Sequence, residues 1–141
     1  MRFMVIVKTN EATDGKAPSA ELLAEMGKFN EEMVKAGILL AGEGLAPSSE
    51  GARVVFDGKE TPTVVDGPFT ESKELVGGFW ILQVRDREEA IEWIKRMPNP
   101  DGEPGEVEIR RVAEASDLEN MTPELEELEG RLRAQSAARE A

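Results

Sequence analysis

The sequence predicts an α+β fold of the ferredoxin-like kind, in which a βαββαβ unit forms one antiparallel sheet with both helices on one face. Short runs rich in β-branched and aromatic residues predict the strands. Two stretches with helical apolar spacing separate these runs, and a length of 141 residues fits one such domain. The predicted strands are 2–8, 38–41, 79–84 and 106–112, and the predicted helices are about 19–36 and 86–97.

Both predicted helices carry residues that favour helix ends. Ser19 is a good N-cap residue, and Gly37 is a typical helix stop. Asp86 and Glu89 have the spacing of a capping box. The first helix also has an apolar stripe typical of a face that packs on a sheet, formed by Leu22, Met26, Phe29 and Met33.

Two segments extend this unit. Residues 53–56 and 62–66 flank Asp57-Gly58, which is a strong hairpin signal, so we expect an inserted hairpin there. The tail has Thr122-Pro123, an N-cap followed by a proline suited to the first helical position. We therefore expect a domain at 1–113 and a C-terminal amphipathic helix or tail at 114–141, frayed beyond residue 134. The apolar residues of this helix are Leu118, Met121, Leu125, Leu128 and Leu132.

Both faces of the predicted sheet are apolar. In the first strand Phe3 and Val5 point one way and Met4 and Ile6 the other, whereas a half-solvated antiparallel sheet alternates apolar with polar residues. Each large side chain left in water forgoes roughly 1.5–3 kcal/mol of burial. We therefore expect a homodimer in which two sheets pack face to face around a two-fold axis. The alternative is that the chain's own tail covers this face.

The composition excludes several classes of function. The chain has no His, Cys or Tyr, so it contains no catalytic triad, no thiolate nucleophile and none of the usual zinc, copper or haem ligands. A formal charge of −12 disfavours nucleic acid and anionic membrane surfaces as partners. No apolar run approaches the length of a membrane span or a signal peptide. We expect a cytoplasmic protein that carries neither a metal nor another cofactor.

The densest polar cluster is the block at residues 66–74, Asp-Gly-Pro-Phe-Thr-Glu-Ser-Lys-Glu. In the functional interpretation, Asp66 and Glu71 line a cleft at the sheet edge, and one of them is a partly buried carboxylate that acts as a base. Lys73 would hold an anionic substrate, and Phe69 would supply an apolar contact. In the structural alternative, Asp66 caps a turn, Phe69 packs in the core, and the other charges pair at the surface.

Other positions give weaker signals. Glu108 and Arg110 share one face of the last strand, so Arg110 could clamp a carboxylate ligand if that face lines a cavity. A cross-strand charge pair is the favoured interpretation of both residues. Glu43 could present a carboxylate from a flexible loop, although an ordinary turn at the end of the strand is favoured. Gly42-x-Gly44 lacks the third glycine and the helix of a dinucleotide site. Trp80 and Trp93 lie in apolar patterns that favour core packing.

The block, followed by Gly77-Gly78-Phe79, resembles the signature of the DGPF (DGPFAETKE) group of YCII-related proteins. Residues 36–45, 89–93 and 105–112 also resemble this group, so the resemblance covers about 1–113. It implies a ferredoxin-like fold and a dimeric α/β barrel, and it implies no established reaction. The His–Asp pair proposed for other YCII-like proteins has no counterpart here, because the chain has no His. The frequent gene association of the group with sigma factors implies a regulatory protein partner.

Three hypotheses for function follow. The first is a small cytoplasmic protein that binds a small metabolite near the block, with carboxylate acid/base chemistry as an option. The second is a non-catalytic regulatory or interaction module that works beside a sigma factor. The third is a cofactor-independent oxygenase or dismutase-like enzyme, which the lack of His, Cys and Tyr disfavours. The residues alone do not decide whether the protein is an enzyme.

Overall fold

The computed structural model describes residues 1–69 and 75–140 and divides the chain into two compact units, Met1–Arg111 and a second unit from Val112 onward. The strands are β1 (Arg2–Thr9), β2 (Leu39–Gly44), β3 (Ala52–Val55), β4 (Thr63–Asp66), β5 (Leu75–Gln83) and β6 (Val107–Arg111). The α-helices are α1 (Ala20–Lys35), α2 (Arg87–Ile94) and α3 (Pro123–Glu140). Two 3₁₀ turns lie at Ser48–Glu50 and Ala115–Asp117.

The main sheet has four strands in the order β2-β5-β1-β6, and every neighbouring pair is antiparallel. With α1 and α2 as the crossover connections, this is the strand order of a ferredoxin-like βαββαβ unit. The mixed α+β class and the antiparallel sheet are therefore as the sequence predicts. β3 and β4 pair only with each other, and they form a separate two-stranded sheet inserted between β2 and β5.

The ends of α1 and α2 follow from their capping residues. The Ser19 hydroxyl accepts a hydrogen bond from the Leu22 amide at 3.0 Å, and Gly37 has a φ of 73°, the left-handed conformation that ends many helices. Asp86 caps α2 by accepting from the Glu89 amide at 2.9 Å. The Glu89 carboxylate, however, accepts from the amide of Arg85 and not from that of Asp86, so the expected capping box is shifted by one residue.

One sheet face and the two helices form the hydrophobic core. Strand residues of β1 and β5 that alternate along the chain point to the helices and are buried, as the period of two in a strand requires. Both helices contribute buried side chains to the same cluster, so both lie on this face. The cluster comprises Phe3, Val5, Phe29, Met33, Ile38, Trp80, Leu82, Val84 and Ala90.

β5 and α3 extend further than the sequence predicts. β5 begins at Leu75, so Gly77 and Gly78 lie inside the strand and do not merely introduce it. Leu75 is buried and pairs with Thr9 at the far end of β1, which explains the extension. In the second unit, α3 continues to Glu140, and the expected fraying beyond residue 134 is wrong. Thr122 begins this helix by accepting from the Leu125 amide at 3.2 Å.

The hairpin formed by β3 and β4 exposes apolar side chains on both of its faces. Val54 and Val64 are cross-strand partners on one face and are 54% and 63% exposed. Phe56, just after β3, is 71% exposed. A two-stranded sheet on its own is marginally stable, so this hairpin depends on its attachments to the main sheet's loops. Among the described residues, no helix has the length and apolar composition needed to cross a bilayer.

Candidate functional site

The turn at Gly67–Phe69, the described remainder of the predicted block, packs against the 3₁₀ turn at Ser48–Glu50. The Gly67 amide donates to the Gly51 carbonyl at 2.9 Å, and the Phe69 amide donates to the Ser48 hydroxyl at 3.2 Å. The same Ser48 donates from its hydroxyl to the Asp14 carboxylate, which also accepts from the Ser48 amide at 3.1 Å. Ser48 thus joins this turn to the loop that precedes α1.

Gly67 has no room for a side chain. A Cβ atom at this position would lie 1.7 Å from the carbonyl oxygen of Ser48. Contacts this short do not occur between real atoms, and backbone atoms cannot move aside as a flexible side chain can. The glycine of this block is therefore required by packing alone.

Phe69 is half-buried beneath a cation and lies outside the core cluster. The Arg53 guanidinium lies over its ring, 3.9 Å from the ring centroid, in the geometry of a cation–π contact. Asp66, the last residue of β4, is exposed in the single chain, and its carboxylate makes no hydrogen bond or ion pair within the described residues. Glu71 and Lys73 lie outside the described residues. That Glu71 is a partly buried carboxylate acting as a base therefore stays a prediction.

Arg110 lies on the sheet face opposite the helices, in a group of charges with Lys8 and Glu108. The Lys8 ammonium lies 3.1 Å from Glu108 and 3.3 Å from Glu106, and the Arg110 guanidinium lies 3.2 Å from the other oxygen of Glu108. The hydrogen bond from Lys8 lowers the pKa of Glu108 below its ordinary value of 4.5. In return, the bonds to Glu108 and Glu106 raise the pKa of Lys8 above 10.5.

The described site residues lie in three different parts of the fold. Asp66 belongs to the two-stranded sheet, Phe69 to the turn after it, and Arg110 to β6 at the edge of the main sheet. None of the three lines either of two cavities in Met1–Arg111, which have volumes of about 250 Å³ and about 580 Å³.

A cavity of about 250 Å³, which we call the glycine cavity, lies beside the segment that follows the block. Its floor is the helix-facing side of β5 and β2, because Gly42 pairs with Trp80 and Gly44 pairs with Gly78 across these strands. α1 forms the opposite wall. The lining residues are Val7, Met26, Asn30, Gly42, Glu43, Gly44, Gly77, Gly78, Phe79 and Trp80.

Missing side chains create the glycine cavity. Gly42, Gly44 and Gly78 occupy helix-facing positions where other residues would fill the space below α1. A Cβ at Gly42 would lie 2.6 Å from the Trp80 ring, and a Cβ at Gly78 would lie 2.9 Å from the Glu43 carbonyl oxygen. At Gly44, by contrast, a Cβ would meet nothing within 4 Å. Gly42 and Gly78 therefore allow the Trp80 ring and the Glu43 carbonyl oxygen to come close, whereas Gly44 leaves empty space in the cavity.

One hydrogen bond fixes the polar group of this cavity. The Trp80 indole N–H donates to the Asn30 side-chain oxygen at 2.9 Å. An indole nitrogen can only donate, so the Asn30 amide must turn its oxygen toward Trp80. The Asn30 NH₂ group is then left as a donor, and it has no partner within the described residues.

Sequence reasoning missed Asn30 and the cavity. The separation of 50 residues between Asn30 and Trp80 hides their hydrogen bond from any local pattern. The available signal was the concentration of glycines at 42, 44, 77 and 78, because glycine inside a strand marks a bulge or a close approach.

Comparison with known protein families matches residues 1–116 to the YCII-related domain. The chain belongs to the YCII-related family. An uncharacterised protein from Rhizobium meliloti (strain 1021) is 28% identical over 116 residues, which cover 80% of this chain and 93% of that protein. The matched region of this YCII-related protein contains the main sheet, the inserted hairpin and the glycine cavity. Neither match assigns an activity, so function has to be argued from the site.

The packing of Gly67 predicts that Gly67→Ala will open the turn. The new Cβ forces the turn away from Ser48 and breaks the hydrogen bonds of the Gly67 and Phe69 amides. We expect hydrogen exchange at residue 67 and at Phe69 to rise at least tenfold, with a loss of roughly 1–3 kcal/mol if the strain spreads to the whole domain. Gly105→Ala is the control, because a Cβ there meets nothing within 4 Å. Unchanged exchange in Gly67→Ala would contradict this packing.

The ion pairs of Glu108 predict a defined pH dependence. A carboxylate whose pKa is lowered on folding stabilises the native state above its ordinary pKa of 4.5, and this stability is lost as the pH falls through the lowered value. The pKa of Lys8 is raised, so Lys8 stabilises the native state below its ordinary pKa of 10.5. This stability is lost as the pH rises through the raised pKa. We expect the difference in unfolding free energy between wild type and Glu108→Gln to vanish in acid.

The measurement is a series of urea denaturations from neutral pH to about pH 3. The exposed residue Glu60 supplies the matched control, Glu60→Gln, for which the difference from wild type stays constant over this range. A difference for Glu108→Gln that persists in acid would show that the pKa of Glu108 is not lowered.

Proposed function

We propose that this YCII-related protein is a homodimeric member of the DGPF group that binds a small uncharged molecule in the glycine cavity. The observation that carries the proposal is the hydrogen bond between Trp80 and Asn30, which presents the Asn30 NH₂ group beside an indole ring. Small-molecule sites are typically apolar cavities with a few placed polar groups. Membership of the DGPF group rests on residues 66–74 and on the Gly77-Gly78 pair that lines the cavity.

The lining defines the chemical class of the ligand. The Asn30 NH₂ group calls for a hydrogen-bond acceptor such as a carbonyl oxygen. Val7, Met26 and the Trp80 ring favour a flat apolar body next to that acceptor. Glu43 pairs with Phe79, whose neighbour Trp80 faces the helices, so alternation places the Glu43 side chain on the opposite sheet face. Among the described residues, the helix-facing lining therefore carries no charged side chain, and an ionised ligand would find no partner there.

Rigid support makes Asn30 suitable for recognition. Trp80 is buried, and its ring meets that of Phe29 edge-on, with 5.7 Å between the centroids and an interplanar angle of 78°. Phe29 is the neighbour of Asn30 on α1 and is itself buried. The indole and the amide are thus both held by the core, so little side-chain entropy is lost when a ligand binds.

Acid/base catalysis by Asp66 would be a function separate from this cavity. Asp66 belongs to the two-stranded sheet and does not line the cavity. A base must lie within hydrogen-bond reach of the proton that it removes. We therefore propose binding as the function of the glycine cavity, with Phe69 and Arg110 outside its described lining.

The homodimer is supported by the sheet face opposite α1 and α2. Met4 pairs with Ile81 and Ile6 pairs with Phe79 across β1 and β5, so these four apolar side chains form one stripe. On β6, Glu108 pairs with Ile6 and Arg110 pairs with Met4. These two charged residues border the apolar stripe. An apolar centre with a polar rim is the usual anatomy of a protein interface. A second copy would cover the stripe sheet to sheet, with like residues facing across a two-fold axis.

The cavity predicts binding of benzamide, which joins a flat ring to a carbonyl acceptor. The chain has two tryptophans, so a nitrogen–proton NMR spectrum of the full chain shows two indole signals. We expect benzamide to shift the Trp80 signal with a Kd of the order of 1 mM and to leave the Trp93 signal unchanged. Benzoate has the same ring and a charge in place of the amide, so it should bind at least fivefold more weakly.

Matched valine variants test the location. Gly44→Val fills the open space on the cavity floor and should abolish the Trp80 shift. Gly27→Val lies on the exposed side of α1, where a Cβ meets nothing within 4 Å, and should bind benzamide as wild type does. Equal shifts of both indole signals, or unchanged binding in Gly44→Val, would contradict the proposal.

The apolar stripe predicts a dimer that one charge disrupts. Light scattering on the wild type should give twice the chain mass of 15.5 kDa. Ile6→Asp places a carboxylate in the centre of the stripe and should give the mass of one chain, with an unchanged circular dichroism spectrum. Val64→Asp adds the same charge to the separate hairpin and should remain dimeric. A wild-type mass of one chain at micromolar concentration would overturn the dimer.

A further inference from the structure

A second cavity of about 580 Å³ lies at the N-terminal end of α1, and we call it the edge cavity. It is bounded by the loop before α1, by the first turn of α1 and by the loop between α2 and β6. Its lining residues are Val7, Lys8, Thr13, Lys16, Ala17, Pro18, Ser19, Leu22, Met97, Asn99, Asp101, Glu103, Pro104, Gly105, Glu106 and Val107. The volume lies within the range of sites for small organic molecules.

The floor of the edge cavity is apolar. Val7, Met97 and Val107 are partly buried and pack against the core cluster, and Leu22 adds a half-buried side chain from α1. These side chains come from β1, α1, β6 and the loop after α2, so the floor belongs to the folded domain. An apolar floor of this kind favours a ligand with an apolar body.

Hydrogen bonds hold the walls in place. The Ser19 hydroxyl, which caps α1, donates to the Asp101 carboxylate at 3.0 Å and so ties the helix to the loop between α2 and β6. Within that loop, the Asn99 side chain donates to the Glu103 carbonyl at 2.9 Å. On the other wall, the Lys16 amide donates to the Thr13 carbonyl at 3.0 Å. The cavity is therefore formed before any ligand arrives.

The charges around the edge cavity have a negative excess. Glu106 is neutralised by its ion pair with Lys8, at 3.3 Å. This leaves Asp101 and Glu103 on one wall and Lys16 on the other. The Glu103 carboxylate makes no ion pair within the described part of the chain. The net charge of −12 adds a long-range attraction for cations.

We propose that the edge cavity is a second ligand site, which binds a small organic cation: an amine whose apolar body lies on Val7, Leu22, Met97 and Val107 and whose ammonium faces Asp101 and Glu103. The inference is independent of the glycine cavity, whose proposed ligand is uncharged. Phenethylamine is a suitable probe, because it joins one aromatic ring to one ammonium by a short chain. Phenylacetate is the matched comparison, with a carboxylate in place of the ammonium.

Methionine methyl groups report the two cavities separately. Met97 lines the edge cavity and Met26 lines the glycine cavity. In the full chain labelled with ¹³C at the methionine methyls, and with signals assigned by Met→Leu variants, phenethylamine should shift the Met97 signal and leave that of Met26 in place. The expected Kd is of the order of a few mM, as for other fragments of this size. Salt should weaken this binding, because the charges are exposed.

Paired variants test the role of the acids. Asp101→Asn with Glu103→Gln keeps side-chain size and an acceptor for Ser19, and should raise the Kd of phenethylamine at least fivefold. Asp57→Asn with Glu60→Gln removes two charges from the hairpin loop and should leave the Kd unchanged. The proposal is overturned if Met97 does not respond, if phenylacetate binds as tightly as phenethylamine, or if both double variants weaken binding equally. A Met26 response to benzamide without a Met97 response to phenethylamine would overturn the second site alone.

Discussion

The indole of Trp80 is the point at which the core and the glycine cavity meet. Its ring packs edge-on against Phe29, its strand partner across β1 is Val5, and its N–H binds Asn30. A ring of this size needs space on the neighbouring strand, and Gly42 provides it, since a Cβ there would lie 2.6 Å from the ring. The same large side chain that fills the centre of the sheet thus requires small residues beside it. Gly42 meets this requirement, whereas the open space of the cavity lies at Gly44, where a Cβ would meet nothing within 4 Å.

The sequence predicts the fold well because the fold depends on local patterns. Ser19 and Gly37 set the ends of α1 through backbone chemistry that needs only neighbouring residues. Alternation along β1 and β5 identifies the core face for the same reason. β5 is longer than predicted because its start depends on pairing with the distant end of β1 at Thr9. A local sequence pattern carries no information about pairing between strands that are far apart in the chain.

The site was predicted less well, and the reason is also physical. The block at 66–74 attracts attention because it is dense in charge, yet its described glycine is fixed by the backbone of Ser48, nineteen residues earlier. The charges of Arg110 and Glu108 could be read as a pair from their spacing, and Lys8 joins them only because β6 lies beside β1. Asn30 carries no unusual chemistry in sequence. It becomes a candidate only after the fold places it opposite an indole.

The two cavities share one helix and one valine. α1 contributes Met26 and Asn30 to the glycine cavity and Leu22 to the edge cavity, and Val7 lines both. Met26 lies one helical turn from Leu22, so a shift of α1 that widens one cavity changes the other. A ligand can shift the equilibrium between two positions of the helix only by as much as its binding free energy differs between them. Any such coupling is reciprocal, because each ligand must change the affinity for the other by the same factor. The ligands that we propose for the two cavities differ in charge, so under both proposals the shared helix would couple the binding of an uncharged molecule to the binding of an amine.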